Sequence, residues 1–219
     1  MRFALQYAPV SPTILRNFIV LEGLDGSGTT TQMRLLSERL GKMGAAHAAT
    51  CEPTDGVIGR LLRSILALET RAHPRTVALL YAADRSEHVN APHTGILARS
   101  KRGELVICDR YLFSSIAYQS IDCGIEFVLG INADLPLPQC LIFLDTPVEV
   151  CQDRLAHRGK PELFDGLAFQ SRVREGYIQA LERYRGSGMH VARLDGDRPA
   201  GLIHGDIWKI LSDLPINGM

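Results

Sequence analysis

The stretch Asn17-Phe18-Ile19-Val20-Leu21-Glu22-Gly23-Leu24-Asp25-Gly26-Ser27-Gly28-Thr29-Thr30-Thr31-Gln32 decides the fold. Asn17 to Leu21 reads as a strand with no polar face, the pattern of a central parallel strand buried on both sides. Past the glycine-rich turn, Met33, Leu36, Leu40 and Met43 recur at helical spacing. That predicts a helix with Arg34, Glu38 and Arg39 toward solvent, ended at Gly44. Strand, glycine-rich turn and helix are the setting of a phosphate-binding loop, G-x-x-x-x-G-K-[ST]. Gly23, Gly28 and Thr30 stand at the required spacing. The glycines let backbone N–H groups converge on a polyphosphate, and the helix N-terminus adds a favourable dipole. Thr30 offers its hydroxyl to a magnesium ion. The lysine position, however, holds Thr29. Its absence removes one cation from a transition state in which single arginines are worth ~10³–10⁵ in rate. An ordinary strand-to-helix turn has the same glycines, so the weight falls on more distant segments.

Downstream, a second strand is predicted over Ala45–Cys51, then the turn-rich Glu52-Pro53-Thr54-Asp55-Gly56. Helices are predicted at Ile58–Leu68 and Arg75–Arg99, separated by His73-Pro74. A third strand, Glu104–Cys108, precedes a helix from near Phe113 and a proline-rich loop at Asp134–Pro138. Cys140–Asp145 is the next buried strand. Thr146-Pro147 reads as a helix start, with Thr146 as N-cap and Pro147 first in the helix. That helix ends near Arg154 to Lys160. A long helix over Leu167–Arg185 turns Phe169, Val173, Tyr177 and Leu181 inward, and the last strand and helix are His190–Leu194 and Pro199–Leu211. Apolar strands alternating with helices, without tandem hairpins, predict an α/β fold: a five-stranded parallel sheet flanked by helices on both faces. One domain is expected over residues 17–213, with residues 1–16 as an N-terminal extension and a lid around 154–165. The lid is expected because Gly159 and Pro161 break a helix that carries Arg154, Arg158 and Lys160.

Composition narrows the function. The 219 residues suit one sizeable domain, and Lys plus Arg equals Asp plus Glu at 24 each. That balance speaks against binding nucleic acid through its phosphates. No apolar run approaches a membrane span, and no secretory signal is expected at Met1–Arg16. Cys51, Cys108, Cys123, Cys140 and Cys151 contain no C-x-x-C pair, so buried thiols in a reducing, cytoplasmic setting are expected. The histidines share no helical i, i+4 pairing and read as structural. Arg110, following the third strand in Cys108-Asp109-Arg110-Tyr111, falls at the carboxyl edge of the sheet, where ligands of such folds bind.

These segments together resemble thymidylate kinases of the bacterial type, over about residues 17–213. The likeness rests on Phe18–Gly28, Glu52-Pro53-Thr54, Leu79-Leu80-Tyr81-Ala82-Ala83-Asp84-Arg85, Asp109-Arg110-Tyr111, Ser114–Gln119, Phe143–Pro147 and Asp195–Pro199. It implies the P-loop nucleoside-monophosphate-kinase fold, a homodimer formed through helices packed face to face, and transfer of the γ-phosphoryl group of ATP to thymidine monophosphate with Mg²⁺. ATP would lie on Gly23, Leu24, Asp25, Gly26, Ser27, Gly28, Thr29, Thr30 and Thr31, with Asp197 and Arg198 against adenine. The monophosphate would meet Asp25, Glu52, Tyr81, Arg85, Arg110, Ser115, Tyr118 and Gln119. In that scheme Tyr81 stacks on the base and Arg85, sharing its helix face one turn later, donates to a base carbonyl. Ser115 leaves room for the ring, and Tyr118 lies near the 2′-carbon, where it would crowd a ribose hydroxyl. Asp25 helps position the sugar, Arg110 bridges the two phosphates, and Arg154 and Arg158 are the lid cations. Thr30 and Asp109 would hold the metal, Asp109 through water. Where the resemblance expects Arg-Glu-Pro the chain has Cys51-Glu52-Pro53, a second missing cation, and Glu52–Pro53 is a site for a cis bond. Two alternatives stand beside this reading. In a deoxynucleoside kinase, Glu52 would be the base that deprotonates a hydroxyl. A non-catalytic nucleotide-binding homologue is motivated by Thr29 and Cys51.

Overall fold

The computed structural model describes residues 13–156, 163–164 and 166–216. Five parallel strands carry the fold: β1 (Ile14–Gly23), β2 (His47–Cys51), β3 (Leu105–Asp109), β4 (Leu137–Asp145) and β5 (His190–Asp195). Their order is β2-β3-β1-β4-β5. Helices α1 (Thr29–Lys42), α2 (Val57–Leu66), α3 (Pro74–Asn90) and α4 (Ile96–Lys101) lie between the first three strands in sequence, α1 after β1 and the others after β2. Between β3 and β4 lie α5 (Leu112–Tyr118), α6 (Ser120–Cys123) and α7 (Ile125–Ile131), and α8 (Val148–Leu155), α9 (Leu167–Arg183) and α10 (Ala200–Ser212) complete the chain.

Strand alternation builds two cores from one sheet. Phe18 and Val20, with Val106, Cys108, Leu141 and Phe143, face α5 and α9. Ile19 and Leu21, with Ile107, Ile142 and Leu144, face α1 and α10. Every one of these strand residues is fully buried, which is why the sequence shows continuous apolar runs rather than alternation. From β1 the chain crosses to β2 on one side and later places β4 on the other. The carboxyl ends of β1, β3 and β4 therefore open onto a topological switch point, where α/β sheets bind ligands.

Several expectations are corrected. β1 begins at Ile14 instead of Asn17, and β4 begins at Leu137, inside the stretch read as a proline loop. The two extensions pair with each other, Ile14 with Leu137 and Leu15 with Pro138. An irregularity between Leu15 and Ile19 resets the register. There Asn17 takes a left-handed φ of 56°, and its N–H donates to Gln139 Oε1 at 2.7 Å. The helix predicted over Arg75–Arg99 is two, α3 and α4. Pro92 supplies no N–H and forces Ala91 into an extended conformation (ψ 128°), which ends α3. The helix predicted to reach Leu68 stops at Leu66, and Leu68 is left-handed. Thr146 caps nothing: Pro147 precedes α8 as its N-cap, and the Thr146 hydroxyl donates to Ser27 O at 3.3 Å. Met43 lies outside the core, 53% exposed. On α9 the buried residues are Gln170, Val173, Tyr177 and Ala180, while Phe169 and Leu181 pack at the margin. All five cysteines are free; Cys108, Cys140 and Cys151 are buried as expected, whereas Cys51 and Cys123 are only part-buried.

Because the fold rests on strands packed on both faces, truncating one of them is costly. Ile142→Ala is expected to lower stability by about 2–5 kcal/mol in urea unfolding.

Candidate functional site

The loop after β1 is shaped by close backbone approach. A Cβ on Gly23 would lie 2.3 Å from Ser27 Oγ. Gly26 combines a φ of +85° with a Cβ position 2.6 Å from Cys151 O, so α8 leaves no space for a side chain. Gly28, at φ +102°, swings the chain into α1 with Thr29 and Thr30 in its first turn. The loop thus borders a cavity of ≈ 450 Å³, lined by Leu24 through Gln32 together with Arg110, Arg154, Gly196 and Arg198.

A second cavity, also ≈ 450 Å³, lies on the other side of Arg110. Cys51, Glu52 and Pro53 follow β2 into it, α2 gives Arg63, α3 gives Tyr81 and Arg85, and α5 with the residue after it gives Ser114, Tyr118 and Gln119. Asp25, Thr30 and Arg110 line both cavities. The two spaces meet at one acid, one hydroxyl and one guanidinium.

Arg110 is held there against its backbone preference. Its φ is +73°, rare for a residue with a Cβ. Its N–H donates to Leu21 O at 2.9 Å, and its guanidinium donates to Asp25 Oδ1 at 2.6 Å, Tyr177 OH at 3.1 Å and Ser114 Oγ at 3.3 Å. Tyr118 OH donates to the other oxygen of Asp25 at 3.2 Å. Beneath this group sits Glu22, fully buried, accepting from Tyr111 N (2.8 Å), Ser114 N (3.2 Å), Ser114 Oγ (2.6 Å) and Tyr177 OH (2.9 Å). Burial pushes the Glu22 carboxyl up to about 7, against the lowering effect of those hydrogen bonds and of Arg110.

Thr30 Oγ1 donates to Asp109 Oδ2 at 2.6 Å, while Asp109 Oδ1 is buried without a hydrogen-bond partner among the described residues. A hydroxyl beside a half-satisfied carboxylate is a set of hard oxygen donors, and it fits magnesium. The chain also brings Glu52, His88 and Cys108 within 4.8 Å of one another. There Glu52 is already paired with Arg85 (2.7 Å) and with His88 Nδ1 (3.1 Å), and the Cys108 thiol donates to Arg110 O.

Other expected site residues are placed as follows. Tyr81 lines the second cavity, part-buried. Arg85, 1% exposed, is committed to Glu52, to Asn132 Oδ1 (2.5 Å), and through one nitrogen to both Tyr111 O (3.2 Å) and Ser115 Oγ (3.0 Å). Ser115 is therefore drawn to Arg85, and it is absent from the cavity lining. The Glu52–Pro53 bond is cis. Arg154 reaches over the loop to the carbonyls of Gly26 and Ser27 (3.3 Å each) and Gly196 (3.2 Å), and lies 3.6 Å from Asp197. Arg198 lines the first cavity while donating to Asp206 at 2.6 Å. Arg158, Lys160 and most of the expected lid lie outside the described residues.

The sequence reading passed over Glu22, Tyr177 and Arg63. A lone carboxylate at the end of an apolar strand was a visible signal for Glu22. Tyr177 reads as a core ring, and its hydroxyl role needs the partner strands. Arg63 lines the second cavity beside Cys51 and donates to Pro53 O, which puts a cation close to the position where one is missing.

The family model described as thymidylate kinase matches residues 21–207. A Treponema pallidum protein bearing the thymidylate kinase name is 38% identical over 194 residues, covering 87% of this chain and 92% of its own. One from Pyrococcus abyssi is 41% identical over 77% of this chain and 84% of its own, and one from Methanococcus aeolicus is 33% identical over 92% and 99%. Among the described residues, no helix is long and apolar enough to cross a membrane.

Glu22 gives the site a pH signature. The folded chain holds the Glu22 proton more tightly than the unfolded chain does, so folding takes up that proton between pH 4.5 and about 7. Stability is expected to fall by ~3 kcal/mol as pH rises through that window. Urea unfolding from pH 4.5 to 8 checks this, with Glu22→Gln expected to lack that slope.

Proposed function

The chain belongs to the thymidylate kinase family, and we propose that it acts as a dTMP kinase, moving the γ-phosphoryl group of ATP to thymidine monophosphate. The observation that carries this reading is the pair of cavities meeting at Asp25, Thr30 and Arg110. One is floored by a phosphate-binding loop and the other is walled by an aromatic ring and polar side chains, as a donor and an acceptor nucleotide require.

On this reading ATP lies along Gly23–Thr31 with its adenine toward Gly196 and Arg198, and the monophosphate lies with its base against Tyr81. Arg110 neutralises charge where the two phosphates face each other, and the Asp25 pair holds its guanidinium there. The chemistry is positioning and electrostatics, with no covalent step for the protein. Thr30 and Asp109 would hold magnesium, which would supply charge neutralisation at the phosphates. Arg154, already laid across the loop, is the cation that approaches the donor phosphates in the absence of lysine at position 29. Arg63 serves the acceptor phosphate in place of an arginine at position 51. Glu52, tied to Arg85 and His88, is not free to act as the base a deoxynucleoside kinase needs. We further propose a homodimer and a cytoplasmic setting. Val57, Leu61 and Leu68 on and after α2, and Leu79 on α3, are apolar and exposed by 42% or more, which suits a helical interface.

A coupled assay with ATP, magnesium and a panel of nucleoside monophosphates tests the reading, with dTMP expected as the preferred acceptor. Arg110→Ala is expected to lower kcat by ~10³-fold or more. Arg63→Ala is expected to raise the KM for dTMP about tenfold with a smaller effect on kcat, as the loss of one charge-assisted hydrogen bond implies. Thr29→Lys is expected to bind ATP at least as tightly as wild type. Turnover in that variant with none in wild type would show a nucleotide binder rather than an enzyme.

A further inference from the structure

Glu22 touches neither cavity, yet two hydroxyls that hold Arg110 are bonded to it. We propose that Glu22 is a positioning residue for phosphoryl transfer: its carboxylate turns the Ser114 and Tyr177 hydroxyl hydrogens toward itself, so that their lone pairs face Arg110. The proposal rests on the dTMP kinase reading for what Arg110 does, and on this chain's own geometry for how it is held.

The argument concerns the direction of protons. A guanidinium only donates, so Ser114 Oγ and Tyr177 OH must accept from it. Those two oxygens lie 2.8 Å apart and each has one hydrogen to place. An ionised carboxylate only accepts, and Glu22 Oε2 lies 2.6 Å from Ser114 Oγ and 2.9 Å from Tyr177 OH. Both hydrogens are drawn there, and the lone pairs are left for Arg110. Meanwhile Glu22 Oε1 accepts the N–H groups of Tyr111 and Ser114. Tyr111 directly follows the left-handed Arg110, so the same side chain pins the turn and orients the polar groups that receive the guanidinium.

An amide at position 22 reverses this. Its NH₂ donates, the hydroxyls must turn to accept, and their hydrogens then oppose those of Arg110. The titratable or charged groups that face Glu22 are Arg110 and Cys108 from β3 and its turn and Tyr177 from α9, while α5 presents Ser114. Burial holds the Cys108 thiol and the Tyr177 phenol well above their ordinary ranges, so neither competes as an anion. The burial that raises Glu22 makes pH 8, where it is ionised, the condition for the test.

The experiment measures dTMP and thymidine binding by calorimetry, and turnover with ATP and dTMP, at pH 8 in Glu22→Gln, Tyr177→Phe and the double variant. A displaced Arg110 is felt most by a ligand with a phosphate. Glu22→Gln is expected to weaken dTMP about fivefold and thymidine less than about twofold, and to lower kcat about 30-fold, within the range that a 1 Å misplacement brings. The double variant is expected to lose little more than Glu22→Gln alone, because both substitutions break one network. Equal losses for thymidine and dTMP would mark a merely structural role and overturn the proposal. So would unchanged dTMP affinity and kcat, or losses that multiply in the double variant. If Glu22→Gln fails to fold, Tyr177→Phe and Ser114→Ala decide: the phosphate-selective loss is expected in both, and its absence overturns the proposal. The same phosphate-selective loss in the variants, with a wild type that binds dTMP but does not turn over, would overturn the kinase reading and leave the positioning of Arg110 standing.

Discussion

Two phosphate chains repel each other, and a protein that brings them end to end must supply fixed positive charge at the point of contact. We propose Arg110 for that point: it lies at the carboxyl end of β3, where two cavities share its guanidinium with Asp25 and Thr30. The position is bought with backbone strain, since Arg110 is left-handed. The cost is offset by its N–H on Leu21 O, by the Asp25 ion pair, and by the Tyr111 and Ser114 amides closing onto Glu22. Without the sheet to fix β1 against β3 in parallel register, none of these groups would meet.

On the proposed reading, the cations that the chain lacks are met by neighbours from other elements. Thr29 and Cys51 stand where two charges are expected, yet Arg154 reaches the loop from α8 and Arg63 reaches the second cavity from α2. Long, flexible side chains from helices that frame the site can deliver charge without any change in the loop itself. Glu22 shows the opposite economy. Its burial raises the carboxyl to about 7 and destabilises the ionised form. The return is a set of oriented hydroxyls under Arg110.

Much of the fold could be read before any coordinates. Continuous apolar runs at Phe18–Leu21 and Cys140–Leu144 can only be strands covered on both faces, and the helical spacing of Leu36 and Leu40 gave α1 its inner side. The misreadings have physical causes. Leu137-Pro138 was read as loop because proline withholds an N–H, but the strand it extends pairs there with the equally early Ile14-Leu15. Pro92 falls inside the helix predicted over Arg75–Arg99, yet α3 ends at Asn90 because proline withholds an N–H and holds Ala91 extended. Thr146 looked like a cap because its type and its following proline fit one. Tertiary contact gave its hydroxyl to Ser27 instead.

In the site the division is similar. The amino-acid order alone determined that a phosphate-binding turn follows a buried strand, that its lysine is missing, and that an acid–arginine pair ends another strand. These are matters of local spacing, and local spacing is written along the chain. Only the folded molecule decided that Arg85 is locked into Glu52 and Asn132, and that Arg63 stands by Cys51. It also set Tyr177, 155 residues from Glu22, against that carboxylate. Hydrogen-bond partners this far apart depend on where a sheet twists and which helix crosses it, and no one-dimensional period carries that information.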